Sequence, residues 1–346
     1  MPDEMPLVDR WLEWALHNKG RAETTCRAYR QHILRLQTYL HTRYGLTLLN
    51  ATPAALEDFA GRYLHSIGIR PVSRRAPVAA IRGFYGWLVR QRLLAESPAQ
   101  YLSAPKIGSP LPHPMPLASA EKLLMAPGLA TFTGCRDTAM LALLIGTGCR
   151  VSGLVNLNQE DLIWTESKAG TERLVIRLLE KGKRERMVPV SLEAALLVRA
   201  YLGHADLATI DRTTPAGRRV LFVNVRNRNC PQHHHYGENR RIRRDSVQVI
   251  MRRYGEQCGI PKEHCHPHAL RHLYGTELAE GDVDLLQRQA LLGHSQPGTT
   301  AVYSHLAMRK LATTVEKHNP LAKMTTTPAR LLANQLLVRR NNSKPL

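Results

Sequence analysis

Leu291-Leu292-Gly293-His294-Ser295 and, nine residues beyond its histidine, Tyr303 within Thr299-Thr300-Ala301-Val302-Tyr303-Ser304-His305 are the stretch on which the reading of this chain turns. The leucines belong to the apolar face of a helix over residues 285–292. Gly293 can take the left-handed backbone that closes such a helix, and His294 is then presented on the turn. Taken singly, a histidine after a helix end and a tyrosine at a helix start are more often structural than catalytic. Their weight comes from segments far upstream.

Pro267 suits the first turn of a helix, and His268-Ala269-Leu270-Arg271-His272 follows it. Positions three apart share a helical face, so His268 and Arg271 can address one ligand. The arginine fork matches two oxygens of a phosphate. Earlier still, an apolar helix over residues 136–145 runs into Thr147-Gly148-Cys149-Arg150-Val151-Ser152, which presents Arg150 just past a glycine. An arginine there is by itself only dipole complementation. Between these lies a strand pair, 173–179 and 186–190, with Leu174, Ile176 and Leu178 alternating on one side and Met187, Val188 and Val190 around the return. The turn between them holds Lys181-Gly182-Lys183.

Two arginines, two histidines, a lysine and a tyrosine answer one chemical need. A phosphodiester is shielded from nucleophiles by its charge. Cutting it without net hydrolysis requires neutralisation of the non-bridging oxygens, a nucleophile that keeps the bond as a covalent ester, and a proton donor for the leaving alkoxide. A free tyrosine has a pKa near ~10, so nearby guanidiniums would help to stabilise its phenolate.

The order Arg, Lys, His-x-x-Arg, Gly-His, Tyr resembles the active-site signature of the tyrosine recombinases, the family of phage integrases, Xer-type resolvases and related transposon and plasmid recombinases. The likeness runs from about Leu117 to His318. It implies that Arg150 and Arg271 clamp the scissile phosphate and that His268 and His294 hydrogen-bond its oxygens or help to move protons. Lys181, with Lys183 as the alternative, protonates the leaving 5′-oxygen, and Tyr303 forms a 3′-phosphotyrosine. No cofactor or metal is implied. The partner implied is double-stranded DNA with short inverted-repeat sites, engaged by four protomers, with a second recombinase as a possible companion. The pattern departs at one place. Many members carry an acid three positions after the first arginine, where this chain has Gly153; Glu160 or Asp161 from the next turn is the candidate replacement.

Composition points to the same kind of partner. Against 28 Asp and Glu stand 48 Lys and Arg, a formal net charge of +20, which calls for a polyanion. A membrane surface is disfavoured, since no basic amphipathic helix carries a bulky aromatic face and the chain has only four Trp and four Phe. The N-terminus shows no secretory pattern and no apolar run is long enough to span a bilayer, so a cytoplasmic location is expected. The six cysteines are unpaired in spacing and read as reduced thiols. His233-His234-His235, with Cys230, Cys258, His264, Cys265 and His266, invites a metal but lacks the usual short ligand spacings. The alternative is a basic loop near DNA.

The expected fold is mainly α with a small β-sheet, in two domains. Helical periodicity at Leu12 and Leu16, then Tyr29, Ile33, Leu36 and Leu40, then Leu56, Phe59 and Tyr63, then Ile81, Phe84 and Leu88 makes residues 1–105 a four-helix bundle; the resemblance implies a core-binding, DNA-clasping domain. Its arginines Arg27, Arg30, Arg74, Arg75 and Arg82 fall mostly off the apolar positions and are candidates for DNA contact, as are Arg240, Arg241, Arg243 and Arg244 in the second half. Five prolines, Pro105, Pro110, Pro112, Pro114 and Pro116, make 106–116 a linker. Residues 117–319 form the catalytic domain, with helices at 192–202, 244–258, 268–280 and 306–317 and a short strand at 220–223. Residues 320–346, basic and without an acid, read as a mobile tail. Two other activities fit the same residues: a type IB topoisomerase-like relaxation, and a non-catalytic DNA-binding regulator. A basic amphipathic helix after Tyr303, with Leu306, Leu311 and Val315, suits docking onto a neighbouring protomer and speaks against the first.

Overall fold

The computed structural model describes residues 4–105, 114–166, 172–179, 185–226, 230–293, 305–324 and 327–332, with backbone alone for 305–310. The chain divides into two compact units, Met1–Pro110 and Leu111–Leu346.

The first unit is helical. It comprises α1 (Met5–His17), α2 (Glu23–Tyr44), α3 (Pro53–Asp58) continuing through a π-helical turn, Phe59–Tyr63, into the short α4 (Leu64–Ser66), and α5 (Arg75–Arg90) after a 3-10 turn, Pro71–Arg74. Ile33, Leu36, Leu40, Leu56, Phe59, Ile81, Phe84 and Leu88 are all buried, as their spacing predicts. On α1 the inward face is different from the expected one. Val8, Trp11 and Ala15 are buried while Leu12 and Leu16 are half-buried. The indole of Trp11 sets this rotation, because it stacks on Tyr29 at 5.6 Å and meets Phe84 edge-on at 5.4 Å.

The second unit is organised around α7 (Phe132–Thr147), which follows α6 (Leu117–Met125). Every residue of α7 except Thr133 is buried, so this helix is covered on all sides rather than amphipathic. Its one buried arginine is held internally: Arg136 reaches the Asp137 carboxylate at 2.6 Å and the Val223 carbonyl at 2.8 Å. Then come α8 (Val151–Val155), strands β1 (Leu162–Glu166), β2 (Glu172–Leu179) and β3 (Glu185–Val190) in an antiparallel sheet of order β1-β2-β3, α9 (Leu192–Leu202) and α10 (Ala205–Ala208). Leu174, Ile176, Leu178, Val188 and Val190 face the core and Met187 faces solvent. Strand β1 was not anticipated. Residues 220–223 make isolated bridges, Asn158 to Val220 and Val223 to Arg241, in place of the expected strand.

The remaining helices are α11 (Arg244–Gln257), α12 (Pro267–Glu280), α13 (Leu285–Leu292), α14 (His305–His318) and α15 (Pro320–Lys323). The expectation of a mobile tail from Pro320 does not hold for its described part. Leu321, Met324 and Ala329 are buried, Lys323 pairs with Glu277 at 2.5 Å and Arg330 with Glu193 at 3.0 Å. Acids from distant segments neutralise charges that look unopposed in the local sequence.

Candidate active site

Arg271 sits on the first turns of α12 and is 7% exposed. Its Nη1 donates to the Gly148 carbonyl at 2.7 Å and its Nη2 to the Leu292 carbonyl at 2.5 Å. One guanidinium thus joins two helix ends that are far apart in sequence. Gly148 closes α7 and precedes Arg150 by two residues; Leu292 ends α13 and precedes His294 by two. Both ends close on a left-handed glycine, Gly148 at φ 57° and Gly293 at φ 66°. Gly148 is doubly constrained, since a Cβ there would lie 2.5 Å from the Tyr274 ring.

His268 stands one turn before Arg271 on the same face. Its surroundings set its charge: partial burial, then the neighbouring Arg271, His272, His266 and Arg150, hold its pKa below the usual 6.5. The ring is therefore neutral at physiological pH and can accept or relay a proton. Arg150 follows by two residues the Gly148 carbonyl that Arg271 holds, which puts it in the neighbourhood of Arg271 and His268. His266 caps α12, its Nδ1 accepting from the Ala269 amide at 3.1 Å. Arg150, His268 and Arg271 are thus brought together, while Lys181, His294 and Tyr303 lie outside the described residues.

The candidate replacements for the missing acid are elsewhere engaged. Asp161 takes Arg177 at 3.0 Å and Arg218 at 2.5 Å, and its second oxygen accepts from the Asn158 amide; Glu160 pairs with Arg219 at 3.0 Å. Neither supports Arg150. At Gly153 a Cβ would meet Leu178 Cδ2 at 3.4 Å, an ordinary contact.

The expected DNA-facing arginines fall into two groups. Arg75, Arg82, Arg243 and Arg244 are exposed, Arg240 is half-buried, and Arg27 and Arg30 make surface pairs with Glu23 and Asp9. Arg74 and Arg241 instead serve the fold. Arg74 donates to the carbonyls of Ile69 and Gly61. Arg241, its side chain 14% exposed, donates to the carbonyls of Val155 and Leu157 at 3.0 Å each and to Asn158 and Glu238. In the histidine cluster His233 and His234 are exposed and His235 is buried. Among the described residues no three His, Cys, Asp or Glu side chains converge as metal ligands would, and no helix is long and apolar enough to cross a membrane.

Sequence reading passed over Arg186 on β3. Its Nη1 donates to the carbonyls of Ala290, at 3.4 Å, and Leu291, so it grips the same helix end as Arg271. The signal was present: with Val188 and Val190 inward, the two-residue period places Arg186 inward too, and it stands opposite buried Leu178 in the ladder.

Residues 118–310 match the model of the phage integrase family, and residues 8–92 that of the phage integrase N-terminal SAM-like domain. The chain is 31% identical over 319 residues to the tyrosine recombinase XerC of Myxococcus xanthus, covering 92% of this chain and 98% of that protein. It is 32% identical over 321 residues to XerD of Pseudomonas aeruginosa, with the same coverage. Among solved structures the fold is similar to XerH site-specific recombinase bound to a palindromic difH substrate, with TM-score 0.61 and 18% identity over 90% of this chain and 83% of that one. It is equally similar to the Tn1549 transposon integrase in complex with transposon right-end DNA, with TM-score 0.61 and 14% identity over 96% and 99%. The chain belongs to the phage integrase family, the tyrosine-type site-specific recombinases.

Proposed function

We propose that this recombinase exchanges strands of double-stranded DNA at short inverted-repeat sites through a 3′-phosphotyrosine on Tyr303, as four protomers on DNA, in the integration or resolution of a mobile element, plasmid or chromosome dimer. The observation that carries the reading is the pair of hydrogen bonds that Arg271 donates to the Gly148 and Leu292 carbonyls, which ties the segments leading to Arg150 and to His294 to one guanidinium beside His268.

In this reading the Tyr303 hydroxyl gives its proton to His268, which is neutral in the free protein, as its oxygen attacks the scissile phosphorus, while Arg150 and Arg271 neutralise the non-bridging oxygens. His294 hydrogen-bonds the phosphate. The bond to the 5′-oxygen breaks and that oxygen takes a proton from Lys181. A 5′-hydroxyl from the partner strand then attacks the phosphotyrosine and releases Tyr303. The net positive charge of the chain supplies the electrostatic part of DNA affinity, with exposed Arg75, Arg82, Arg243 and Arg244 as contributors. The phosphotyrosine ester conserves the energy of the broken phosphodiester, so rejoining needs no ATP.

A library of nicked suicide duplexes bearing randomised inverted repeats tests this. The expected result is an SDS-resistant protein–DNA complex, enriched on particular sequences and abolished in Tyr303→Phe. No complex on any sequence overturns the proposal. Relaxation of a supercoiled plasmid with no such site would replace it with topoisomerase action.

A further inference from the structure

We infer that Arg186 is a positioning residue for strand cleavage: it clasps the C-terminal end of α13 from the β3 strand and so fixes the point at which the chain leaves that helix toward His294. The inference rests on the proposed role of His294 and goes beyond it by assigning a residue that none of the catalytic roles include.

Three consecutive carbonyls end α13. Ala290 and Leu291 are taken by Arg186 and Leu292 by Arg271. The last carbonyls of a helix have no partner within it and carry the negative end of its dipole. Two guanidiniums on them form charge-assisted bonds, which are stronger than neutral ones. α13 needs such an anchor, because it has eight residues, too few to be stable alone, and its starting side chains Leu285 and Leu286 are 56% and 59% exposed. Only Leu291 of its leucines is deeply buried. The two clasping arginines come from different elements, Arg271 from α12 and Arg186 from β3. Arg186 is also five residues after Lys181 in the chain. It therefore joins the strand that follows the candidate proton donor to the helix that precedes the candidate histidine. A lysine at 186 would offer a single point charge in place of a planar fork, and alanine neither.

The experiment uses the full chain and a duplex recovered by covalent capture. Amide hydrogen exchange of the free protein reads the clasp directly. Arg186→Ala should speed exchange across residues 285–293 while α7 stays protected. Duplex affinity should stay within about twofold, whereas the rate of covalent complex formation should fall about tenfold or more, since a small misplacement of a catalytic group is at least of that order. Arg186→Lys should recover part of that rate, and stands in for the alanine variant if the latter does not fold.

A duplex with sulfur in place of the leaving 5′-oxygen supplies the decisive arm, because a thiolate leaves without a proton donor. Lys181→Ala should be rescued on it, and Arg186→Ala should not. Wild-type cleavage by Arg186→Ala, unchanged exchange in 285–293, or full rescue by sulfur each overturns the inference. Covalent complex formation by Tyr303→Phe would overturn the nucleophile assignment instead, and the exchange result would still decide the clasp.

Discussion

Gly148 carries two demands at one position, and each excludes other residues. Its backbone is left-handed, at φ 57°, and a Cβ would lie 2.5 Å from the ring of Tyr274, itself fully buried. A side chain there would have to move Tyr274 or shift the end of α7, and the carbonyl of Gly148 is the acceptor for Arg271. Gly148→Ala is therefore expected to cost more than the roughly 1 kcal/mol of left-handed strain alone and to depress covalent complex formation beyond what the lost stability explains. Chemical denaturation alongside cleavage of a nicked duplex measures both; a wild-type cleavage rate would show that the Gly148–Arg271 link does not position Arg150. Gly153 is the opposite case. It lies in the middle of α8 with no left-handed backbone, and a Cβ meets only Leu178 at 3.4 Å. Gly153→Ala should raise stability by about 0.5–1 kcal/mol through the unfolded chain's lost freedom, seen as a higher midpoint in thermal unfolding. A lower midpoint would mean that Leu178 cannot give way. The acid expected at that position has no counterpart in Asp161 or Glu160, whose carboxylates hold Arg177, Arg218 and Arg219.

Among the elements, the segment after α14 shows how a basic stretch becomes structural. Leu321 is fully buried and approaches Gly146 in the wall of α7, where an added Cβ would stand 3.0 Å from its Cδ1. Glu316 accepts from the Leu192 amide at 3.0 Å, fastening α14 to the start of α9. Leu321→Ala is expected to destabilise the second unit by about 2–5 kcal/mol, the range for a buried leucine truncated where the surroundings cannot collapse. Urea unfolding would measure it, and an unchanged midpoint would return this segment to the status of a tail. The sequence misled here because Lys323 and Arg330 have no acid near them in the chain, and their partners Glu277 and Glu193 are contributed by other helices. Helices and the β2–β3 pair were readable because their periods are local: Leu174, Ile176 and Leu178 alternate, and Leu285–Leu292 ends on its glycine. Strand β1 was not, since Leu162, Ile163 and Trp164 are successive apolar residues without alternation and become a strand only by pairing with Ile176, Val175 and Leu174. The candidate site is legible in the sequence only as residue types in order. What only the fold supplies is the carbonyl pair that Arg271 bridges, because main-chain acceptors leave no mark in a sequence.

On the scale of the whole molecule, positive charge and a set of neutral histidines act together. His32, His235, His266 and His268 all have pKa values below the ordinary 6.5, in each case with burial as the leading cause. Between 6.5 and those lowered values the unfolded chain binds more protons than the folded one, so stability falls as pH drops through that window and is fully present above it. Carboxylates give no single direction lower down, since Glu193 and Glu316 are shifted up by burial whereas Asp58 and Glu160 are shifted down by their hydrogen-bond partners despite it. Thermal unfolding should thus show a midpoint that is flat from neutrality to about pH 8, below the range in which thiols titrate, and declines from about pH 6.5 downward; a midpoint that rises on acidification in that range would contradict the histidine assignments. Bound duplex should change the sign of one contribution. A phosphate seated between Arg150 and Arg271 adds negative charge beside His268 and favours its protonated form. Binding then takes up a proton, and affinity rises as pH falls toward the free-protein value for His268. The same duplex affinity should fall steeply with salt, with a slope of about 0.9 per phosphate neutralised. Titration at fixed ionic strength separates the two effects, and in His268→Gln the salt slope should persist while the dependence on pH is reduced. Equal pH dependence in the variant and the parent would mean that the phosphate lies away from His268.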